Sequence, residues 1–337
     1  MGDEAARVLR KQRPMNVMAV FDRSFYVQTH QGVFCIGLAS LGQGPLNVLI
    51  ESSDDLLPPA VACGVSVSHD MATQPVDNRA DVHINVLTPD KLTLYSGKVP
   101  GVLANARTTA GMRQALIRMA PALAHGFSWV LNHVEWRQEA NAPDNTDMSL
   151  DAVTRSLRTL SIPVLRDLSA WLEQALEQPI AGELPASDLI PGSPAISIPR
   201  TVASQLPMLL GAGPGLTPAG DDLLAGVLLS LHRINRDDLA LMIWKLLEPQ
   251  LSLRTNLISS AHLCLAAQGQ CAESMNELLA LVFAESSVVN GSSVVSNSSR
   301  GQCLEATATR IKRLVEGMGA TSGWDTLAGM SLVLLAL

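Results

Sequence analysis

Basic residues, paired cysteines and long apolar runs are all scarce in this chain. Lysine and arginine number 24 against 31 acidic residues, a net charge of −7, and this balance argues against a nucleic-acid-binding face. The five cysteines are widely spaced and form no Cys-x-x-Cys pair, so neither a zinc ribbon nor a disulfide framework is indicated. No apolar run is long enough to cross a bilayer, and residues 1–16 contain no apolar segment of a secretory signal. We therefore expect a reduced, soluble, cytoplasmic protein with no nucleic-acid or membrane partner.

The expected fold class is α+β, with a β-rich N-terminal domain followed by a mostly α-helical C-terminal domain. The chain has 337 residues, of which 47% are hydrophobic, enough for two domains with separate cores. Short runs of β-branched and aromatic residues, separated by turns, occupy 15–100 and predict a small antiparallel sheet or barrel. A helical connection then spans 101–136, a polar linker or loop 137–149, and a helical domain 150–337.

Prolines and a serine-rich segment predict interruptions in the helical part. We expect helices to break at Pro121 and near Pro163, because proline removes a hydrogen bond from a helix interior. The segment "SSVVNGSSVVSNSSRGQ", residues 286–302, predicts a flexible loop. Such a loop is either a lid over a site or a plain surface connection.

The stretch "GAGPGLTPAGDD", residues 211–222, predicts a glycine-rich turn followed by a helix. Thr217 fits the helix cap and Pro218 the first helical position. The backbone N–H groups of such a turn form a ready anion site. Neither the dinucleotide fingerprint nor the Walker loop is matched. The substrate-binding candidates in this turn are Gly211, Gly213, Gly215 and Thr217.

Two adjacent carboxylates, Asp221 and Asp222, complicate an anion site at this turn. A carboxylate repels a phosphate unless a metal bridges the two or the ligand offers an N–H donor. An Mg²⁺ ion held by Asp222 is one solution, although no cofactor is certain. A carbamoyl or amide NH₂ group held by the carboxylate is the other. The alternative is that both residues only cap the helix.

A second copy of the motif closes the chain. Residues 220–226, "GDDLLAG", align with residues 323–329, "GWDTLAG", and Thr321, which precedes the second segment, is a further substrate-binding candidate. In each copy an aspartate lies one helical turn before a glycine, and a glycine inside a helix usually permits close packing. We expect the two helices to cross at these glycines and to bring Asp222 and Asp325 to one end. The catalytic candidates are therefore Asp221, Asp222 and Asp325, with Asp222 and Asp325 as candidate Mg²⁺ ligands; helix packing with capping carboxylates is the alternative.

Other candidates come from residue spacing alone. Thr255, Ser259 and His262 fall at positions i, i+4 and i+7 of a predicted helix and form one polar stripe, which faces either a site or solvent. Arg254 and Arg300 are suited to binding a carboxylate or phosphate through two parallel hydrogen bonds, and surface solvation is the alternative for both.

The chain resembles the AllH-like family in three segments, which read "GAGPGLTPAGDDLLAG", "SFYVQTHQGVFCIGLASLGQGPLNVLI" and "GATSGWDTLAG". Its name-giving member is a subunit of an anaerobic oxamate carbamoyltransferase. The resemblance implies a role in allantoin or purine catabolism, where oxalurate and phosphate interconvert with oxamate and carbamoyl phosphate. It also implies other carbamoyltransferase subunits as partners and a small anionic ligand, namely carbamoyl phosphate, oxamate or phosphate.

Three functions stay open from the sequence. The leading one is a subunit of a carbamoyltransferase-type complex that binds carbamoyl phosphate or its acceptor at the glycine turn. The alternatives are a free-standing Mg²⁺-dependent enzyme acting on a phosphorylated metabolite and a non-catalytic assembly subunit.

Overall fold

The computed structural model describes residues 1–9, 16–21, 23–50, 95–102, 106–121, 125–132, 136, 150–179, 196–283 and 297–337. The strands predicted between 51 and 94, the polar linker at 137–149 and residues 286–296 of the serine-rich region lie outside these ranges. The described chain divides into two compact units. One contains Met1–Lys98 with Gln270–Asn276, and the other contains Val99–Gly269 with Glu277–Leu337.

The first unit contains a short helix and a four-stranded sheet with the strand order β1-β2-β3-β4. The helix is α1 (Asp3–Leu9), and the strands are β1 (Asn16–Val20), β2 (Ser24–Thr29), β3 (Gly32–Leu38) and β4 (Asn47–Ile50). β-branched and aromatic side chains favour these strands, and several of them, such as Phe25, Val27 and Phe34, are buried. The expected α+β class is confirmed.

The sheet is mixed and not purely antiparallel as predicted. Strands β1, β2 and β3 form antiparallel pairs, whereas β4 runs parallel to β3. The connection at 39–46 includes a 3-10 turn at Ala39–Leu41 and returns the chain to the starting end of β3. Residue patterns that predict a strand do not show its direction, which depends on the path of such a connection.

The second unit is helical. Its helices are α2 (Ala106–Met119), α3 (Ala152–Leu176), α4 (Arg200–Gln205), α5 (Ala219–Arg233), α6 (Asp237–Leu247), α7 (Leu251–Arg254), α8 (Leu257–Ala267), α10 (Asn297–Gly317) and α11 (Ser322–Ala336). Helix α9 (Glu273–Val282) has its first four residues in the first unit and the rest in the second. No helix among the described residues is both long and apolar enough to span a bilayer.

Two of the predicted helix interruptions are wrong. Helix α3 continues through Pro163, because Pro163 and the preceding Thr159 are exposed, so water can bind the carbonyl that the proline leaves unpaired. Helix α10 begins at Asn297, so residues 297–302 are helical and not part of a loop. The predicted break at Pro121 is confirmed, since α2 ends at Met119.

Helices α5 and α11 cross at two glycines in the core of the second unit, as predicted. A β-carbon at Gly226 would collide with the carbonyl oxygen of Thr326, and one at Gly329 would collide with that of Leu223. Thr326 and Leu223 are themselves aligned positions of the two sequence copies. The contacts are therefore reciprocal, and the two copies pack with approximate twofold symmetry.

Candidate functional site

The glycine turn precedes α5 and depends on backbone angles that glycine adopts readily. Gly211, Gly213 and Gly215 have φ angles of 72°, 103° and 106°, a region disfavoured for residues with a β-carbon. A β-carbon at Gly213 would lie 3.1 Å from the backbone nitrogen of Ala219. Glycine at this position therefore leaves the first N–H of α5 uncovered.

The turn contains both occupied and unoccupied N–H groups. The N–H of Ala212 donates to Leu209 (3.1 Å), and that of Gly220 donates to Ala212 (2.9 Å). Within the described ranges no acceptor lies against five further N–H groups, those of Gly213, Gly215, Leu216, Thr217 and Ala219. Unpaired N–H groups at a helix start favour an anion.

The helix begins one residue later than predicted, and Thr217 does not cap it. Pro218 occupies the cap position without a side-chain hydrogen bond. The hydroxyl of Thr217 lies instead 2.9 Å from that of Ser322, the first residue of α11. This contact shows that the N-terminal ends of α5 and α11 meet.

Asp221 fixes the glycine turn to α8. It is 1% exposed, and its carboxylate accepts hydrogen bonds from the N–H of Gly211 (2.8 Å) and the hydroxyls of Ser259 (2.6 Å) and Thr255. Two residues of the predicted polar stripe thus bind Asp221. These three hydrogen bonds hold Asp221 between the turn and α8, so its role is to position the turn.

Asp222 and Asp325 lie in the first turns of the two crossing helices, and the pKa of each carboxyl is raised. Burial, then the charges of Asp325 and Asp221, raise the pKa of Asp222, while the nearby hydroxyls of Ser322 and Thr217 lower it. Burial raises the pKa of Asp325 to about 7, against hydrogen bonds from Phe127 and Thr321. Within the described part of the chain, the Oδ2 atoms of both carboxylates are buried without a hydrogen-bond partner.

Gly126 and Phe127 cover Asp325. The N–H of Phe127 donates to Asp325 Oδ1 at 2.5 Å, and the N–H of Gly126 donates to Thr154 Oγ1 at 3.2 Å. Gly126 has a φ of 56°, and a β-carbon there would collide with Asp325 Oδ1. The loop therefore needs glycine in order to approach the carboxylate.

Helices α3, α8 and α11 contact the turn that precedes α5. Helix α3 contributes Leu157, which is 3.6 Å from the position of a β-carbon at Gly213, and α8 contributes Asn256, whose amide donates to Leu216 O at 2.8 Å. The side chains of Asp151 and Asn256 cap α3 and α8, whereas α5 and α11 have no side-chain cap. The positive ends of the α5 and α11 dipoles are therefore not neutralised by a side-chain cap, which favours an anion at these two helix starts.

The remaining predicted residues are not brought to the carboxylate pair. The side chain of Arg254 is exposed, and only its carbonyl oxygen packs against Gly211. Burial lowers the pKa of His262 to about 4, so its ring is neutral at physiological pH. Arg300 lies in α10, and its side chain is outside the described part. Among the described residues no group of three or more His, Cys, Asp or Glu side chains is placed to hold a metal ion.

Residues 209–334 match the AllH family model, described as oxamate carbamoyltransferase subunit AllH. The resemblance found in the sequence is confirmed over this range, which contains the glycine turn and both crossing helices. No curated protein and no solved structure is significantly similar to the chain.

Four residues near the carboxylates and the turn were not among the predicted candidates. Asn256 precedes a helix and has the residue type of a cap, so its capping role was open to prediction. Ser322 follows Thr321 in the AllH-like closing motif, but no spacing pairs it with Thr217. Gly126 and Phe127 contact Asp325 of α11 although they are distant from it in sequence, and no local pattern in the sequence predicts that contact.

Proposed function

We propose that this protein is a subunit of an oxamate carbamoyltransferase-type assembly and binds carbamoyl phosphate at the glycine turn and Asp222. The observation that carries the proposal is the placement of an uncapped, glycine-rich helix start directly before Asp222, a half-buried carboxylate. Carbamoyl phosphate has the two matching groups, a phosphate and an NH₂. The AllH match supports the same reaction class.

The phosphate would bind the turn through backbone N–H groups. Those of Gly213, Gly215 and Ala219 are among the unoccupied donors, and the α5 dipole adds positive potential. Asp221 keeps these donors in place by binding Gly211 and α8. This preorganisation lowers the cost of binding an anion without a basic side chain.

The carbamoyl NH₂ would donate to Asp222. Asp222 is half-buried, so it is more accessible than Asp325. An amide offers two N–H donors and a carboxylate only accepts, so the pair is complementary. A hydrogen bond to an ionised group contributes about 1.5–3 kcal/mol.

Carbamoyl transfer needs positioning more than covalent catalysis. In the proposed reaction the amide nitrogen of oxamate attacks the carbamoyl carbon, the C–O bond to phosphate breaks, and phosphate leaves with the bonding electrons. The turn N–H groups would stabilise the charge on that phosphate. The proton lost from the amide nitrogen would pass to Asp222, whose pKa is raised by burial and by the charges of Asp325 and Asp221, which makes its ionised form a stronger base.

The proposed setting is purine and allantoin nitrogen catabolism, with other carbamoyltransferase subunits as partners. Both follow from the resemblance to the AllH-like family and from the word "subunit" in the description of the matching model. The magnesium alternative has no third acidic, His or Cys ligand beside Asp222 and Asp325 among the described residues, so the carbamoyl proposal is preferred.

Calorimetric titration with carbamoyl phosphate and acetyl phosphate tests the proposal. The two differ by NH₂ against CH₃ at the group that would face Asp222. We expect the protein to bind freshly dissolved carbamoyl phosphate about tenfold more tightly, the equivalent of about 1.4 kcal/mol. Asp222→Ala should remove this preference while leaving weak binding of both phosphates. Equal affinities in the unmodified protein, or no binding, would contradict the proposal.

A further inference from the structure

Side-chain hydrogen bonds tie the glycine turn to α8 near both of its ends. At the start of the turn the N–H of Gly211 donates to Asp221, which also accepts from the hydroxyl of Ser259 in α8. Near the end of the turn the carbonyl oxygen of Leu216 accepts from the side-chain amide of Asn256 at 2.8 Å. The turn is therefore held to one helix at two points.

Asn256 uses both polar atoms of its side chain. Its Oδ1 accepts from the N–H of Ser259 at 3.0 Å and so caps α8, while its Nδ2 donates to the carbonyl oxygen of Leu216. Serine and aspartate cap helices about as well as asparagine does. Of these three residue types only asparagine combines an acceptor for the cap with an NH₂ group. Capping alone therefore does not account for asparagine at this position.

The hydrogen bond to Leu216 also sets the direction of the next N–H group. The C=O of Leu216 and the N–H of Thr217 belong to one planar peptide unit, and in a trans peptide these two groups point in opposite directions. Because the carbonyl oxygen is held by Asn256 at the start of α8, the N–H of Thr217 points away from that helix. This N–H has no acceptor within the described ranges, so it is available to a ligand.

This end of the turn has little packing to fix it. Pro214, Gly215 and Leu216 are all exposed, and an exposed segment with few packing contacts opens more readily than a buried one. Without the amide of Asn256 the N–H groups here would spend less time in the direction that binds an anion. The free-energy cost of ordering them again would then weaken binding.

We propose that Asn256 is a positioning residue of the anion site, which holds the carbonyl oxygen of Leu216 so that the N–H of Thr217 is directed towards the anion. It acts through the turn and does not itself contact the ligand. Asp221 fixes the start of the turn and Asn256 its end, so α8 is the support on which the donors are arranged. This inference rests on the proposed function only for the anion site.

Asn256→Ser separates capping from positioning, because serine keeps an acceptor for the cap of α8 but lacks the amide that reaches Leu216. We expect its thermal midpoint to stay within about 2 °C of that of the unmodified protein. Its sulfate affinity in calorimetric titration should fall about threefold to tenfold, which corresponds to one net hydrogen bond. The matched control is Asn47→Ser in β4, since the amide of Asn47 also donates to a backbone carbonyl, that of Gly42, at 3.1 Å. The control should keep its sulfate affinity.

Amide resonances provide a readout that a capping role alone would not change. Sulfate titrated into the unmodified, nitrogen-15-labelled protein should shift the amide resonances of Gly213 and Thr217, because both N–H groups would donate to the anion. In Asn256→Ser the shift at Thr217 should decrease more than the shift at Gly213, which lies nearer to the hydrogen bond made by Asp221.

The outcomes distinguish this inference from the proposed function. Absence of sulfate binding in the unmodified protein rejects the anion site, and with it both proposals. Sulfate binding without a shift at Thr217 rejects only the role of Asn256, and so does unchanged sulfate affinity in Asn256→Ser. Equal affinities for carbamoyl phosphate and acetyl phosphate, together with the expected sulfate results, reject the proposed function and support the role of Asn256. Because the shift at Thr217 is measured without a variant, the inference stays testable if Asn256→Ser fails to fold.

Discussion

The hydroxyls of Thr217 and Ser322 lie 2.9 Å apart and join the starts of two helices that are distant in sequence. Both also lie close enough to Asp222 to lower its pKa. Each hydroxyl offers one proton, so when one donates to the other, the second proton is free for the carboxylate. The contact therefore connects the packing of α5 on α11 with the chemistry of the proposed site.

A double-mutant cycle on this contact should reveal energetic coupling. Thr217→Val and Ser322→Ala each remove one hydroxyl, and each should lower the free energy of unfolding by about 1 kcal/mol. Since the first substitution already breaks the bond, the double variant should lose less than the sum, with a coupling energy of about 0.5–1 kcal/mol. Urea unfolding measures all four proteins, and strict additivity would show that the contact contributes nothing.

The glycine crossing predicts a severe effect from one methyl group. Gly226→Ala should destabilise the protein by more than about 3 kcal/mol, because the new β-carbon collides with the backbone of α11 and not with a movable side chain. The matched control is Gly111→Ala in α2, where the nearest atom is 3.5 Å away. The control should be neutral or stabilise by up to about 1 kcal/mol. Similar thermal midpoints for both variants would contradict the crossing.

The crossing could be predicted from sequence because its determinants repeat locally. Glycine one turn after aspartate in two apolar helices indicates close packing in any fold, and the matched tails pair the two segments. The direction of β4, by contrast, depends on the path of a connection. The helical course of α3 past Pro163 depends on which side of that helix faces solvent, which tertiary packing decides.

The candidate site was predicted only in part, because tertiary packing also decides which residues meet there. The sequence places Asp221 and Asp222 side by side and does not distinguish them, yet their side chains leave α5 in different directions, one towards α8 and one towards α11. The cover of Asp325 comes from Gly126 and Phe127, almost two hundred residues away. Only tertiary structure assigns one aspartate to the turn, one to the proposed ligand and one to the interior.

Asp221 should matter for the turn even without contacting a ligand. Asp221→Ala leaves the N–H of Gly211 and the hydroxyls of Thr255 and Ser259 without their acceptor, so we expect a loss of about 3 kcal/mol in unfolding free energy. Ser259→Ala removes a single donor and should cost about 1 kcal/mol. Urea unfolding gives both values, and equal losses would show that the carboxylate is not the common acceptor.

Gly213→Val should abolish anion binding while the helices stay folded. The backbone φ of 103° disfavours a β-branched residue, and its β-carbon would crowd the N–H of Ala219. The exposed neighbour Pro214 provides the control, since Pro214→Ala leaves the glycines unchanged. Calorimetric titration with sulfate should detect binding to the control alone. Unchanged sulfate affinity in Gly213→Val would mean that the turn has only a structural role.

Stability should fall as pH rises through the titration of Asp325. Burial raises its pKa from 3.8 to about 7, so the folded state binds this proton more tightly than the unfolded state does. The resulting stabilisation is complete below pH 3.8 and is lost progressively as pH approaches 7. At about 1.4 kcal/mol per pH unit, the loss between pH 5 and pH 8 should be about 3 kcal/mol. The asparagine in Asp325→Asn does not titrate between pH 5 and pH 8, so this variant should lose about 3 kcal/mol less unfolding free energy over that range than the unmodified protein does. The exposed control Glu305→Gln should lose as much as the unmodified protein. Urea unfolding at the two pH values measures the difference, and parallel behaviour of Asp325→Asn and the unmodified protein would mean that Asp325 ionises freely in the folded state.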